Sequence, residues 1–170
     1  LKSACPGLQD RLLRITEKDN VTVVGLTLDG DKANYPTHTE HRHNIFIMES
    51  TNIRLFGVTS RNAKGDGIYV GSDTVPSRRV YLTQVMCEGN YRNGLAIVSA
   101  VELVASSCIF RAQVGYHPQA GLDIEGNTDA TLIDKISFSS CMFTGNVGYG
   151  AMVSFRDTPT VRQGGVTFNG

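Results

Sequence analysis

A short pattern recurs along this chain and constrains its fold more than any other feature. It consists of a small or polar residue, often Gly, followed by an apolar residue, any residue and a second apolar residue. The second apolar residues are Ile47, Val70, Ile97, Ile124 and Val153, which are 23, 27, 27 and 29 residues apart. A second series of alternating strings lies between them and begins at Val21, Ile53, Val80, Val101, Ile136 and Val166. Two interleaved strand patterns with a shared period indicate a solenoid.

Each repeat reads as strands and not as helices. Apolar residues alternate with polar ones, which is the period of a half-buried strand, and the intervening turns are rich in Gly, Asn, Asp and Ser. One coil offers about three short strands, and coils must stack to bury their inward side chains. We therefore predict an all-β parallel β-helix of about five coils over residues 21–170, preceded by an irregular segment and first strand over 1–20. Neither end offers a polar capping helix, so we expect a piece of a longer protein.

Composition excludes some classes of partner. The 170 residues suffice for one domain, and 16 basic residues balance 16 acidic ones. A sequence-independent nucleic-acid binder normally has a basic excess, so no nucleic-acid partner is predicted. No apolar run reaches the roughly 18 residues that span a bilayer, so no membrane partner is predicted.

The cysteines are interpreted as structural. Cys87 and Cys108 each follow the start of a second-series strand by seven residues, which places both at one inward position on neighbouring coils. We interpret them as small buried hydrophobic residues, with a disulfide between stacked coils as the alternative. Together with Cys5 and Cys141 they show no zinc-site spacing.

Four segments resemble right-handed parallel β-helix proteins of the pectate-lyase-like superfamily: residues 20–30, 61–71, 92–97 and 118–125. The resemblance implies a single-stranded right-handed β-helix that acts on acidic or complex polysaccharides. The superfamily includes alginate epimerases, polygalacturonases and phage tailspike depolymerases. The epimerase-type Asp-Pro-His string, the polygalacturonase-type Asp-Asp pair and Gly-His-Gly string, and a pectate-lyase calcium cluster are not identifiable here. Ca²⁺ therefore has no identifiable site, and no catalytic residue carries over from the family.

Stacking of the coils predicts a polar corner. The positions two residues before each Gly-series strand form a column, and the two positions before these form parallel columns. The members that we expect to share this corner are His41, Arg42, His43, Lys64, Asp66, Tyr91, Arg92 and Asn93. Lyases and epimerases of uronates need a cation for the sugar carboxylate and a base for the C5 proton. A solvated, mutually paired polar corner, in which Glu40, Asp66 and Glu88 neutralise the cations, is the alternative.

Within this corner, roles can be assigned from residue type. Arg42 and Arg92 would hold a sugar carboxylate between them, and His43 would be a base that Asp66 orients and makes more basic. His41 and Tyr91 would contact the sugar. The spacing His38-x-x-His41-x-His43 beside Glu40 also admits a zinc site, but without a second ligand cluster we predict no metal.

A second candidate centre lies in the string Gly-Leu-Asp-Ile-Glu. Alternation turns Leu122 and Ile124 inward, so Asp123 and Glu125 point outward from one sheet, about 6.5 to 7 Å apart between α-carbons. Two carboxylates at this spacing suit acid and base catalysis on a glycosidic bond. A plainly solubilising role is the alternative.

The same outward column contains aromatic residues. Phe46 and Tyr69 precede Ala96 and Asp123 in it. We therefore predict a sugar-binding groove in which the two rings are stacking platforms and the acids are catalytic candidates.

Three functions remain open at this point. The first is a polysaccharide-binding or polysaccharide-degrading segment of a phage tailspike, which would be a homotrimer in the virion. The second is a secreted bacterial lyase, hydrolase or epimerase, and the third is a non-catalytic structural or adhesive β-helix.

Overall fold

A computed structural model of the chain describes residues 11–35, 40–155 and 162–170. The predictions that involve Cys5, His38 and the first ten residues lie outside this part. The described residues form a right-handed parallel β-helix of about five coils, as predicted, with three parallel sheets. Strands are numbered β1 to β18 in chain order, and the three sheets are named A, B and C in the order in which each coil visits them.

Each of the first five coils contributes one strand to each sheet, and the described part of the last coil contributes one strand to sheet A and two to sheet B. Sheet A contains β1 (Leu13–Thr16), β4 (Ile45–Met48), β7 (Ile68–Val70), β10 (Leu95–Ile97), β13 (Leu122–Gly126) and β16 (Ala151–Phe155). Sheet B contains β2 (Asp19–Val24), β5 (Thr51–Phe56), β8 (Ser77–Thr83), β11 (Ala100–Ser106), β14 (Leu132–Ser139), β17 (Arg162–Gln163) and β18 (Val166–Asn169). Sheet C contains β3 (Thr27–Asp29), β6 (Thr59–Arg61), β9 (Met86–Glu88), β12 (Ile109–Arg111) and β15 (Met142–Thr144).

Helix is nearly absent from the described residues. A single 3₁₀ turn at Lys32–Asn34 lies in the long excursion after β3. No helix in the described part of the chain is long or apolar enough to cross a membrane.

The core is a set of aliphatic columns that follow the predicted register of sheet A. Ile47 pairs with Val70, Val70 with Ile97, and Ile97 with Ile124. These four side chains are fully buried, which confirms the predicted ladder. Val153 continues the column but is 45% exposed, because no further strand of the described chain covers it.

The recurring glycines before the sheet A strands are required by close packing between coils. A Cβ on Gly67, Gly94 or Gly121 would lie 2.6 to 2.7 Å from the carbonyl oxygen of the next coil's glycine. Real Cβ atoms do not approach so closely, so a larger residue would push the coils apart. Because these positions carry no side chain, the backbone before each of these sheet A strands lies directly against the backbone of the next coil.

One corner of the helix has a constant length. Between sheets B and C, the inward residues Val23 and Leu28 are five positions apart, and the same interval separates the four equivalent pairs, Leu55–Ser60, Leu82–Cys87, Ala105–Phe110 and Phe138–Phe143. The two corners that flank sheet A vary. From sheet A to B, Ile47 and Ile53 are six positions apart, whereas Ile124 and Ile136 are twelve apart. Insertions are thus confined to the two corners that flank sheet A.

Left-handed backbone positions mark the corner after sheet C. The residue that follows β6, β9, β12 and β15 has a positive φ, namely 54° at Asn62, 60° at Gly89, 56° at Ala112 and 63° at Gly145, whereas after β3 the positive φ, 52°, is at the second residue, Asp31. Alanine is disfavoured in this conformation because its Cβ crowds the following carbonyl oxygen. Ala112 is exposed, so its methyl group contributes little packing.

We therefore expect Ala112→Gly to stabilise the protein by about 0.5 to 1 kcal/mol, since relief of the backbone strain exceeds the entropic cost of glycine. Urea unfolding of both proteins measures the difference. Ala130→Gly is the control, because Ala130 is exposed and has no positive φ. Equal stability of Ala112→Gly and the wild type would contradict the argument.

Side-chain amides satisfy the backbone at a second column. The N–H groups of Ala63, Asn90 and Gln113 donate to side-chain oxygens of Asn90, Gln113 and Asn146, respectively, at 2.9 to 3.1 Å. Each amide side chain therefore reaches back to the preceding coil. Buried backbone groups at this turn are paired even though the strands have ended.

The predicted position of Cys108 is wrong. Phe110, not Cys108, pairs with Cys87, because Leu103 rather than Val101 is the partner of Val80 in sheet B. Cys108 instead lies in the turn before β12, where its thiol donates to the carbonyl oxygens of Leu82 and Ser106. Cys87, Cys108 and Cys141 are free thiols, the first two buried, in agreement with their interpretation as small hydrophobic residues.

Candidate functional site

A groove of about 360 Å³ runs over the outer face of sheet A. Its walls come from the two variable corners: residues 40–43 enter from the sheet C side, and residues 71–73 from the sheet B side. Its floor comes from the outward side chains of β4, β7 and β13. The lining residues are Arg11, Glu40, His41, His43, Phe46, Met48, Tyr69, Gly71, Ser72, Asp73, Arg92, Glu125 and Asn127. The groove joins the predicted polar corner to the predicted outward column in one site.

The outward column has the predicted register. Phe46, Tyr69, Ala96 and Asp123 pair in sequence along sheet A. Their exposure differs from the prediction, however, because Phe46 is only 9% exposed and Ala96 and Asp123 are buried. Pointing away from the core therefore does not place these side chains in solvent.

The aromatic residues of the column stack on one another. The ring centroids of Phe46 and Tyr69 are 5.2 Å apart with 14° between the ring planes, and His43 lies 4.8 Å from Tyr69. The guanidinium carbon of Arg11 is 4.5 Å from the centroid of Phe46. Phe46 lines the groove, as predicted for a stacking platform, but the groups that cover its ring leave little of it for a ligand.

Tyr69 differs from Phe46 because its covering residues lie on one side. Phe46 and His43 both belong to the preceding coil, whereas the register partner on the following coil is Ala96. A methyl group covers far less of a ring than a phenyl group does. Burial, followed by nearby Asp73, Asp66 and Glu125, raises the pKa of the Tyr69 hydroxyl, which therefore stays protonated and can donate a hydrogen bond.

The corner column also stacks as predicted, and its side chains pair with backbone. The Asp66 N–H donates to His43 Nδ1 (3.2 Å), the Asn93 N–H to Asp66 Oδ1 (3.0 Å), and the Ala120 N–H to Asn93 Oδ1 (3.1 Å). These bonds hold His43, Asp66 and Asn93 in fixed orientations beneath the groove. All three side chains are buried.

The expected increase in the basicity of His43 is wrong in its net direction. Burial lowers the pKa of His43, and this effect outweighs the opposing effect of Asp66, whose Oδ2 lies 3.2 Å from Nδ1. In the neutral ring, Nδ1 accepts the Asp66 amide proton. His43 is therefore a neutral, firmly held group near neutral pH.

Asp123 is a buried acid and not a solubilising surface residue. Its Oδ2 accepts a hydrogen bond from Asn93 Nδ2 (3.1 Å), and its Oδ1 has no hydrogen-bond partner among the described residues. Burial, reinforced by Glu125 and Asp66, raises its pKa to about 7. Asp123 thus holds a proton to near neutral pH, beneath the groove, while Glu125 lines the groove itself.

Arg92 bridges two acids at the groove edge. Its Nη1 lies 3.9 Å from Glu40 and 3.8 Å from the buried Asp66. Burial acts to lower the pKa of Arg92, but the neighbouring acids together outweigh burial and raise it. The structural alternative for the corner included Glu88 as a third neutralising acid. Glu88 instead pairs with Arg111 at 2.6 Å.

Two of the predicted binding residues do not line the groove. Arg42 is buried, and its guanidinium carbon lies 3.6 Å from the ring centroid of Tyr35. Tyr91 is half-buried beneath Lys64, whose Nζ is 4.1 Å from the ring centroid. The backbone of Arg42, Gly65 and Arg92 stacks as predicted. The Arg42 side chain, however, packs against an aromatic ring, whereas its neighbours His41 and His43 line the groove.

The described residues contain no group of three or more His, Cys, Asp or Glu side chains that could hold a metal ion. His38, the first histidine of the weighed zinc motif, lies outside the described part of the chain.

Sequence reasoning did not find Arg11 or Asp73 as groove residues. Asp73 lies in the segment between β7 and β8, and the direction of this segment over sheet A could not be predicted from the sequence. Arg11 precedes the first strand and carries no motif.

Comparisons with protein-family models, with curated proteins and with solved structures gave no match for this chain.

Proposed function

We propose that this chain is a polysaccharide-binding β-helix and that the groove over sheet A is its binding site. The observation that carries the proposal is the combination, in one open groove, of an aromatic ring with one uncrowded side and polar groups fixed by the corner column. Sugar rings bind proteins through apolar contact with an aromatic face and hydrogen bonds to their hydroxyl groups. Tyr69 supplies both a ring and a hydroxyl donor. Glu125 and Asn127 supply acceptors beside it.

Cleavage of the bound glycan is the second candidate function. It is favoured by the pair of carboxyls on β13, one protonated to near neutral pH and one in the groove. In hydrolysis, an acid protonates the glycosidic oxygen, the bond from that oxygen to C1 breaks, and a carboxylate takes a proton from the water that attacks C1. Glu125, which lines the groove, would take that proton. Asp123 is beneath the surface and does not contact a ligand in this conformation, so binding is the primary proposal.

A setting in a phage tailspike, as a homotrimer acting on a bacterial surface polysaccharide, follows from the sequence resemblance and stays a prediction. A secreted enzyme and a non-catalytic spacer are the rival settings.

One experiment tests both functions. The purified chain is titrated by calorimetry against a panel of soluble neutral and charged polysaccharides, and new reducing ends are measured in the same samples. We expect Tyr69→Ala to weaken binding of any positive glycan by about tenfold, which corresponds to a contact of about 1 to 2 kcal/mol. Glu125→Gln should abolish any release of reducing ends.

Tyr81→Ala is the matched control, because Tyr81 is a partly exposed tyrosine on the outer face of sheet B. Circular dichroism checks that each variant folds, and Tyr69→Leu replaces Tyr69→Ala if that variant does not. No binding to any polysaccharide, or equal losses for Tyr69 and Tyr81 variants, would reject the proposed function.

A further inference from the structure

The groove is lined by more acidic than basic side chains. Three carboxylates line it, those of Glu40, Asp73 and Glu125, against the guanidinium groups of Arg11 and Arg92. Asp66 is a further acid buried behind it, whereas the buried Asp123 is protonated below about pH 7 and adds no charge there. Since the whole chain has no formal net charge, this acidic excess is a local property of the groove.

The two arginines are already engaged. Arg92 lies between Glu40 and Asp66, within 4 Å of each, and the guanidinium carbon of Arg11 stacks 4.5 Å from the centre of the Phe46 ring. A carboxylate ligand is usually held by a guanidinium group that offers two parallel N–H donors. Here such a ligand would have to displace existing carboxylates from Arg92.

The wall opposite Arg92 is also acidic. Asp73 is exposed on the segment after β7, and Ser72 and Thr74 on either side of it donate hydrogen bonds to Glu49 at 2.7 and 3.2 Å. This network fixes the segment beside Tyr69. Asp73, Asp66 and Glu125 all act electrostatically on the Tyr69 hydroxyl, so the negative potential centres on the ring that we assign to sugar contact.

We infer that the groove, if it binds polysaccharide as proposed above, takes a glycan segment whose units are uncharged or carry ammonium groups, and that it rejects uronates. A sugar carboxylate would enter beside three acids and lose its hydration without gaining a paired cation. Uncharged hydroxyl groups can donate to the same carboxylates, and an ammonium group can both pair with them and lie over the Tyr69 ring. This assignment is opposite to the binding of an acidic saccharide that the polar corner suggested from the sequence.

Matched probes test the inference at about pH 6. Tetrasaccharides of galacturonate and of mannuronate are each compared with their methyl esters, which keep the sugar and remove the charge, and a glucosamine tetrasaccharide is added as the cationic probe. We expect the ester to bind at least about fivefold more tightly than the acid at low ionic strength, from one or two unfavourable charge contacts. The glucosamine probe should bind more weakly as salt is added.

Glu125→Gln and Asp73→Asn should each reduce the preference for the ester over the acid. Glu88→Gln, on the outer edge of sheet C and paired with Arg111, should leave it unchanged. Equal or tighter binding of the uronates would overturn the inference and leave the proposed function standing. Binding of glucosamine alone would support it. Failure of every probe and of the polysaccharide panel would reject the proposed function and the inference with it.

Discussion

Replacement of Asp123 with Asn should raise the stability of the protein at about pH 8 and have little effect at about pH 4. The carboxyl of Asp123 has a pKa of about 7 in the folded protein, compared with its ordinary value of 3.8. Between these values the folded state holds a proton that the unfolded state has lost, so the contribution of Asp123 to stability is complete below pH 3.8 and disappears as the pH rises through about 7. Above that pH the wild type buries a charge, which Asn removes.

The size of this effect follows from the shift. Each pKa unit corresponds to about 1.4 kcal/mol, so the gain at about pH 8 is on the order of 2 to 4 kcal/mol, less the cost of a buried amide with an unpaired group. The difference in unfolding free energy between variant and wild type, measured in urea from about pH 4 to 8, should increase with pH and then level off. The pKa of His43 is lowered, so its own contribution is lost as the pH falls below its ordinary value of 6.5. That loss occurs in both proteins.

Asp129→Asn is the control for this measurement, because Asp129 is exposed and its substitution removes one acidic charge without removing a buried one. If the difference for Asp123→Asn is independent of pH, or declines toward high pH, the buried carboxyl does not titrate as described.

Truncation of Ile97 to Ala should lower the unfolding free energy by about 2 to 5 kcal/mol. Ile97 is fully buried between Val70 and Ile124 in the middle of sheet A, where neighbouring coils on both sides limit the collapse of a cavity. Ile97→Val removes one methylene group and should cost about 0.5 to 1.5 kcal/mol. Denaturant unfolding measures both losses of free energy, with the dependence of the unfolding free energy on denaturant concentration compared between the variants.

Val153→Ala provides a control in the same column. Val153 is 45% exposed at the last strand of sheet A, so the loss there should be well below 1 kcal/mol. Similar losses at Val153 and Ile97 would mean that position along the column does not determine the contribution of these side chains.

The sequence was sufficient to predict the coils and the register of sheet A, because the repeated Gly pattern reflects a steric requirement at each coil. A Cβ at Gly67, Gly94 or Gly121 would force the coils apart, so glycine recurs there, and these glycines make the repeats easy to align. The stacking of His43, Asp66 and Asn93 followed directly from that alignment. Local residue pattern and long-range packing agree at these positions.

The register of sheet B was harder to predict at one strand. Val101 and Leu103 differ by two positions, and a shift of two keeps every side chain on the same face. The alternation of apolar residues therefore fits both alignments equally well. In the structure a left-handed residue directly precedes the first inward residue of the strands β2, β5, β8, β11 and β14, and in β11 this residue is Glu102, which places Leu103 opposite Val80.

The sequence also could not predict the burial of Asp123. Alternation gives the side of the sheet to which a side chain points, but the cover over that side comes from segments distant in sequence. Asn93 lies 30 residues before Asp123 and donates to it, and Arg92 is close enough to act on its charge. The pKa of Asp123 thus depends on the assembled groove.

The constant corner between sheets B and C separates the part of the chain that holds the fold from the part that can diverge. A residue inserted there would turn all later side chains of its coil out of phase with those of the neighbouring coils. Residues inserted at either corner that flanks sheet A would lengthen a wall of the groove and leave the inward columns in place. Length changes at these two corners can therefore alter the ligand without disturbing the inward columns, and the same corners are the natural positions at which to graft new recognition loops onto this scaffold.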